Sequence, residues 1–231
     1  MNKKVLYGLI VGLLFLFLLI LTLINANALE PLALDKGIYN YFIDHRGNKN
    51  GFWYYFARIV TEFGHYFAIL IITIFFAVIT RGNNISLSYL IGLIVMILAN
   101  LILKKIIDRP RPDVLNFWQD ETRSSFPSGH SMICGYLYSY LIYYILKRND
   151  NRIVVNSVCI TSGVIMALVP ISRLIMGVHY FTDVVGGILC GALIAVIFMV
   201  ISEIMIEHNF LNTPLLDTIL KKDKKEDNTK E

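Results

Sequence analysis

The chain contains six long apolar stretches, separated by shorter polar segments. They lack the alternation of a strand, and most approach the ~20 residues with which an α-helix crosses the hydrocarbon core of a bilayer. Because a helix satisfies its own backbone hydrogen bonds in lipid, the pattern predicts an all-α fold, a six-transmembrane helix bundle. The predicted spans lie at about 5–24, 59–80, 85–107, 131–146, 153–171 and 184–206. The fourth is short unless the preceding Pro-Ser-Gly-His segment forms its first turn.

The first stretch has some features of a cleavable signal peptide. Lys3 and Lys4 precede it, and Ala26-Asn27-Ala28 follows it as a small-residue segment. Its apolar part is about 20 residues long, however, whereas signal peptides have ~7–15. We therefore expect this stretch to be kept as a transmembrane helix, with cleavage as the alternative.

Composition supports a membrane protein and argues against two other classes. Hydrophobic residues make up 56% of the chain and charged residues 16%, against about 45–50% and 25% in soluble domains. The net charge of +4 comes without a basic, water-facing surface, so we expect no nucleic-acid partner. The three cysteines all lie within apolar stretches, where packing is a better explanation than a disulfide or a zinc site. They are Cys134, Cys159 and Cys190.

Clustered charge sets the predicted orientation in the cell membrane. Six spans place both termini on one side, together with the basic loop at 147–152. Short basic loops favour the cytosol, so we expect both termini to be cytosolic. Residues 1–211 are predicted to form one membrane domain, and 212–231 a disordered basic tail. The aromatic run at 52–56 is typical of the membrane interface.

Three polar segments hold residues that an inert helix bundle would avoid. They lie at 104–112, 126–130 and 172–183. The six-span count puts all three on the outer face of the membrane. Charged residues are costly at a membrane, so their convergence on one face predicts a single functional site.

The residue types of these segments suit a phosphate group. Lys104, Arg111 and Arg173 provide three cations that can donate charge-assisted hydrogen bonds to phosphate oxygens. Ser128 and Gly129 lie where a helix is expected to begin, so free backbone N–H groups and the helix dipole favour an anion there. The sequence therefore predicts a phosphate-binding pocket.

Two histidines could carry out hydrolysis at that pocket. His179 and Asp183 are four residues apart and share one face if the segment is helical. A carboxylate beside an imidazole fixes its tautomer, which fits His179 as the nucleophile and Asp183 as its partner. His130 could then protonate the leaving oxygen. A structural ion pair or a metal site is the alternative, but the nearby cations would repel a divalent ion.

Together these residues resemble a known family. Lys104-x6-Arg111-Pro112, Pro127-Ser128-Gly129-His130 and Ser172-Arg173-x5-His179-x3-Asp183 are similar to the three signature motifs of the type 2 phosphatidic acid phosphatase (PAP2) superfamily. The resemblance implies hydrolysis through a phosphohistidine, without a metal or other cofactor. It also implies phosphate binding by five residues of the motifs. These are Lys104, Arg111, Ser128, Gly129 and Arg173.

The sequence thus predicts an integral membrane lipid phosphatase whose partners are the bilayer and a lipid substrate. The resemblance suggests undecaprenyl pyrophosphate first, then phosphatidylglycerophosphate or phosphatidic acid. A lipid phosphotransferase, a haloperoxidase that holds vanadate in the same pocket and a non-catalytic lipid-binding protein are the alternatives. The sequence leaves the oligomeric state open.

Three further polar residues have weaker assignments. Arg109-Pro110 repeats the Arg-Pro of the first motif, but only Arg111 lies at the motif's distance from Lys104. Glu62 and His65 lie on the same side as the site, where a structural hydrogen bond is favoured over substrate contact.

Overall fold

The computed structural model describes residues 3–26, 31–80, 83–112 and 124–208, which contain helices and no β-strand. The all-α prediction is therefore confirmed. Eight α-helices occur in these ranges: α1 Lys3–Ala26, α2 Ala33–His45, α3 Phe52–Thr61, α4 Tyr66–Thr80, α5 Asn84–Ile107, α6 Gly129–Arg148, α7 Arg152–Ile175 and α8 Phe181–Glu207. A 3-10 turn at Glu62–Gly64 joins α3 to α4. The basic tail predicted at 212–231 lies outside the described residues.

Local sequence sets several helix ends. The side chain of Asn83 accepts hydrogen bonds from the first backbone N–H groups of α5, and Asn151 does the same for α7. Helix α5 ends at Ile107, and the next residue, Asp108, caps it with a left-handed φ of 41°. Helix α6 begins at Gly129, so the Pro-Ser-Gly-His segment does open the fourth predicted span.

Four of the described helical segments are long and apolar enough to cross a membrane. They are Phe52–Ile79, Asn84–Ile107, Arg152–Ile175 and Phe181–Glu207. A shorter apolar segment, Tyr7–Leu21, lies within α1. Helix α6 is more polar because it carries five tyrosines, all of them buried. Since neighbouring helices enclose α6, it does not need an apolar surface toward lipid.

The tyrosines of α6 find polar partners inside the bundle. The hydroxyl of Tyr136 donates to the carbonyl of Tyr89 at 2.6 Å, and that of Tyr140 donates to the carbonyl of Ile85 at 3.2 Å. These bonds satisfy groups that would otherwise be costly to bury. They also link α6 to α5 in the half of the bundle away from the polar segments.

Helices α6 and α8 approach each other closely because glycines face the contact. A Cβ on Gly191 would lie 2.1 Å from the carbonyl oxygen of Met132, and one on Gly135 would lie 2.4 Å from that of Ile188. Backbone atoms cannot move aside as a flexible side chain can. Glycine is therefore required at this contact for reasons of space.

We expect Gly191→Ala to lower the thermal unfolding midpoint of the purified protein, because overpacking a tight contact costs about 1–3 kcal/mol. Gly163→Ala in α7 is the matched control, since a Cβ there meets nothing within 4 Å. The control should keep or slightly raise the midpoint. Equal midpoints for the two variants would contradict the close packing of α6 and α8.

Candidate active site

The three polar segments meet around one cavity. Helices α5 and α7 end, and α6 and α8 begin, at the same end of the bundle. The cavity has a volume of about 220 Å³. Five of the eight predicted site residues line it: Lys104, Arg111, Gly129, His130 and His179. The other three, Ser128, Arg173 and Asp183, are buried.

A larger crevice of about 900 Å³ lies between α3, α4, α6 and α7. Its walls are mostly apolar, and Arg58 and Glu62 are its charged lining residues. It contains none of the motif residues. The chemistry of the side chains therefore assigns the candidate active site to the smaller cavity.

Two of the predicted cations are held by backbone carbonyls at the cavity. The Nζ of Lys104 donates to the carbonyl of Ser124 at 2.5 Å. The Nη1 of Arg111 donates to the carbonyl of Val178 at 2.8 Å, and its Nη2 lies 3.5 Å from the Ser124 carbonyl. These carbonyl bonds orient both side chains at the cavity wall, where a cation suits an anion.

Arg173 is the most deeply buried of the three predicted cations. Its side chain is 2% exposed, and its Nη1 donates to Oγ1 of Thr61 at 3.1 Å. It also acts electrostatically on His130, as Arg111 and His179 do. Arg173 therefore contributes to the potential of the cavity from behind its wall.

The Ser128-Gly129 turn places the first turn of α6 beside the start of α8. The backbone N–H of Ser128 donates to the carbonyl of Asp183 at 3.0 Å. A Cβ on Gly187 would lie 2.7 Å from the carbonyl oxygen of Ser128, so this approach also depends on glycine. The hydroxyls of Ser128 and Ser131 lie 3.1 Å apart. Gly129 faces the cavity, where backbone N–H groups at a helix start favour an anion.

His179 lies in the turn between α7 and α8, and not on a helix with Asp183. Gly177, with φ 72°, reverses the chain just before it, and α8 begins only at Phe181. The expectation that both residues share a helical face was wrong, but the turn still brings them together. Nδ1 of His179 is 3.6 Å from Oδ2 of Asp183, and Nε2 is 3.3 Å from Nη1 of Arg111.

Asp183 also pairs with a residue that the sequence interpretation set aside. Nη1 of Arg109 lies 2.6 Å from Oδ1 of Asp183, and Nη2 lies 2.7 Å from Oδ2 of Asp35. Both carboxylates are fully buried. Burial disfavours the charge of Arg109, but the two carboxylates outweigh that cost and hold the pKa of its guanidinium above the ordinary value.

The sequence offered only a partial indication of this ion network. Arg109-Pro110 repeats the Arg-Pro of the first motif, but its distance from Lys104 excluded Arg109 from that motif. Asp35 is far from the motifs in the chain and stands in the polar connection after the first stretch. Only the folded arrangement places α2 against the first turn of α8.

His65 contributes a ring that was expected to be structural. It lines the cavity, and its ring stacks on that of His130 with centroids 5.2 Å apart and planes inclined by 15°. Its Nδ1 is 3.6 Å from Oε2 of Glu62, which is longer than a hydrogen bond. His65 thus contacts the site directly through the ring of His130.

In the described part of the chain, no group of three or more His, Cys, Asp or Glu side chains is arranged to hold a metal ion. The cavity instead combines cations with imidazoles, which suits an anionic substrate.

Fold, motifs and family agree on the class of protein. The chain belongs to the PAP2 superfamily, whose family profile matches residues 85–205. That range contains all three polar segments. The resemblance seen in the motifs is therefore confirmed.

Two matches from Bacillus subtilis show which members of the superfamily this chain resembles. Phosphatidylglycerophosphatase B of Bacillus subtilis (strain 168) is 41% identical over 101 residues, covering 42% of this chain and 48% of the relative. The chain thus matches about half the length of that relative. The crystal structure of a transmembrane PAP2-type phosphatidylglycerolphosphate phosphatase from Bacillus subtilis superposes with a TM-score of 0.72 and 29% identity. It covers 84% of this chain and 96% of that structure.

A more distant structure shares the fold. Aquifex aeolicus LpxE matches with a TM-score of 0.59 and 19% identity, over 74% of this chain and 98% of that one. Together with the apolar helices, the match to a transmembrane phosphatase identifies the chain as an integral membrane protein.

Proposed function

We propose that the chain is a membrane lipid phosphatase that works through a phosphohistidine. One observation carries the proposal: His179 stands between Arg111 and Asp183 in a cavity that also contains Lys104 and His130. A nucleophile, its orienting carboxylate, a proton donor and phosphate-binding cations are the groups that phosphoryl transfer to an imidazole needs.

The first step forms the phosphohistidine. Nε2 of His179 attacks phosphorus, the bond from phosphorus to the lipid oxygen breaks, and His130 donates a proton to that oxygen. Nε2 suits the attack because Arg111 draws an anion toward it, while Nδ1 faces Asp183. In the second step water attacks phosphorus and loses its proton to His130. The bond between phosphorus and Nε2 then breaks and releases inorganic phosphate.

Five residues bind the phosphate in this mechanism. Lys104 and Arg111 contact its oxygens from the cavity wall, and Arg173 adds positive potential from behind it. Ser128 and Gly129 contribute the amino-terminal turn of α6. The chemistry requires no metal, since these groups replace the charge that a divalent ion would supply.

The apolar side of the same cavity suits a lipid tail. Ile69 and Ile133 line it, as do Met96, Ile97 and Leu101 of α5. A lipid could therefore leave its chains in the bilayer while its phosphate reaches His179. This favours a lipid phosphatase over a phosphatase for soluble esters.

Phosphatidylglycerophosphate becomes the first substrate to test, because the matched Bacillus subtilis sequence and the matched Bacillus subtilis crystal structure both carry its name. Undecaprenyl pyrophosphate, the first choice from sequence, and phosphatidic acid remain candidates. Transfer to an acceptor hydroxyl would use the same residues as hydrolysis. Free phosphate from a labelled lipid supports hydrolysis, whereas label on an acceptor supports transfer.

We also propose the six-span topology with an outward-facing site. The spans are α1, the α3–α4 segment, α5, α6, α7 and α8. The basic residues Lys147, Arg148 and Arg152 lie at the end of the bundle opposite the cavity, which supports a cytosolic position for that end. Residues 1–211 then form the membrane domain, and 212–231 a cytosolic tail.

Replacement of the nucleophile tests the mechanism. We expect His179→Gln to lower phosphate release from lipid substrates by at least ~10³-fold in EDTA, because no other imidazole takes its position. His208→Gln, at the far end of α8, is the matched control and should retain wild-type rates. Wild-type rates in His179→Gln would rule out the phosphohistidine mechanism.

A substrate panel in one detergent tests the lipid preference. We expect kcat/KM to be highest for phosphatidylglycerophosphate, with lower values for undecaprenyl pyrophosphate and phosphatidic acid. Phosphate release is measured for each lipid at matched mole fraction. A clear preference for undecaprenyl pyrophosphate would reverse this order while leaving the mechanism intact.

Cysteine labelling tests the orientation. In a chain without its native cysteines, we expect Asp120→Cys to react with an impermeant maleimide added to intact cells. Asp150→Cys, in the loop between α6 and α7, is the control and should react only after permeabilisation. The reverse pattern would place the active site on the cytosolic face.

A further inference from the structure

A buried ion network connects α2 to the candidate catalytic residues. Arg109 bridges Asp35 of α2 and Asp183 of α8 at 2.7 and 2.6 Å. Asp35 also accepts hydrogen bonds from the backbone N–H and the hydroxyl of Thr182, at 2.9 and 2.7 Å. The arginine side chain is 9% exposed and both aspartates are fully buried, so solvent screens these charges little.

The network fixes the orientation of the Asp183 carboxylate. Its Oδ1 is held by Arg109, and its Oδ2 accepts the backbone N–H of Tyr180 at 2.8 Å. The second oxygen also faces His179 at 3.6 Å. A carboxylate rotates easily about its last torsion unless both oxygens are bound. Arg109 therefore presents one defined oxygen to the imidazole.

The charge of Asp35 has an effect of its own on the network. Arg109 and Asp183 alone would form a neutral pair, which would stabilise a positive imidazole weakly. Asp35 adds a second carboxylate, so the three groups together carry one negative charge beside His179. That charge favours the cationic imidazole that forms when Nε2 binds phosphorus.

We propose that Asp35 and Arg109 are positioning residues for phosphoryl transfer and act on His179 through Asp183. The proposal rests on the proposed function. Asp35 balances the charge of Arg109, and Arg109 fixes Asp183. The external helix α2 is thereby part of the catalytic arrangement.

A purely structural role is the competing explanation, because the same bonds dock α2 against α8. Arg46, just after the other end of α2, is a second buried arginine, and its Nη1 donates to the carbonyl of Ile175 at the end of α7 at 2.9 Å. Arg46 has no bond to Asp183 among those described. Arg46→Met is therefore a matched control for the loss of α2 docking.

A double-mutant cycle separates the two explanations. In the full chain, we expect Arg109→Met to lower kcat by ~10²-fold with KM changed by less than about 3-fold. In an Asp183→Asn background, the same change should lower kcat by less than about 3-fold, because residues that act as a unit are not additive. Arg46→Met should lower the thermal midpoint but change kcat by less than about 3-fold. An equal kcat loss in both backgrounds would overturn the proposal.

Conservative variants cover the case in which Arg109→Met does not fold. Arg109→Lys keeps the charge and one bond, and Asp35→Asn keeps the shape of the carboxylate while removing its charge. We expect both to lower kcat with KM nearly constant, and Arg109→Lys to recover part of the rate lost in Arg109→Met. Wild-type kcat in Asp35→Asn would contradict the role of the Asp35 charge.

Orthovanadate provides a readout that does not depend on turnover. If the wild-type chain released no phosphate from any lipid, the proposed function would fail. The double-mutant cycle of Arg109 and Asp183 would then be measured through the affinity for vanadate at His179. We expect Arg109→Met to weaken vanadate binding at least ~10-fold in the wild-type background and not further with Asp183→Asn. Unchanged vanadate affinity in Arg109→Met would overturn the positioning role by itself.

Discussion

The close approach of α6 and α8 is the contact on which the rest of the site depends. Glycines at 135, 187 and 191 remove the side chains that would separate the two backbones. The N–H of Ser128 can then reach the carbonyl of Asp183 at 3.0 Å. This single bond places the start of α6, with its backbone donors, beside the start of α8, which carries the Asp183 carboxylate.

Cationic side chains of two kinds lie near that contact, and their surroundings differ. The cavity cations Lys104 and Arg111 donate hydrogen bonds to neutral backbone carbonyls. Arg109 is instead matched to two buried carboxylates. A buried arginine without such partners would be strongly unfavourable. Arg109 is thus bound between two buried carboxylates, whereas Lys104 and Arg111 line the cavity.

The bundle combines this polar end with apolar helix surfaces that suit a lipid environment. In the membrane-crossing segment of α8, 72% of residues are buried, whereas in that of α7 only 17% are. Helix α8 is therefore the core of the bundle and α7 lies at its lipid-facing edge. His179 and Asp183 stand at one end of α8, and apolar residues of α5 line the cavity beside them.

The sequence by itself determined the class of the fold and most of the site. Run length and hydropathy indicate helices in a membrane, because lipid leaves few other ways to satisfy the backbone. The motif spacing was enough to select Lys104, Arg111, Gly129, His130 and His179, which do line one cavity. These residues could be found because each carries chemistry that an apolar bundle has no reason to include.

Only the tertiary structure decided which groups act on one another. Asp35 and Arg109 are 74 positions apart and belong to no shared pattern, yet they bond at 2.7 Å. The stacking of His65 on His130 and the turn that carries His179 were likewise invisible, since helix periodicity describes neighbours within one element. Contacts between elements depend on how closely the backbones approach, and here the interhelical glycines decided that distance.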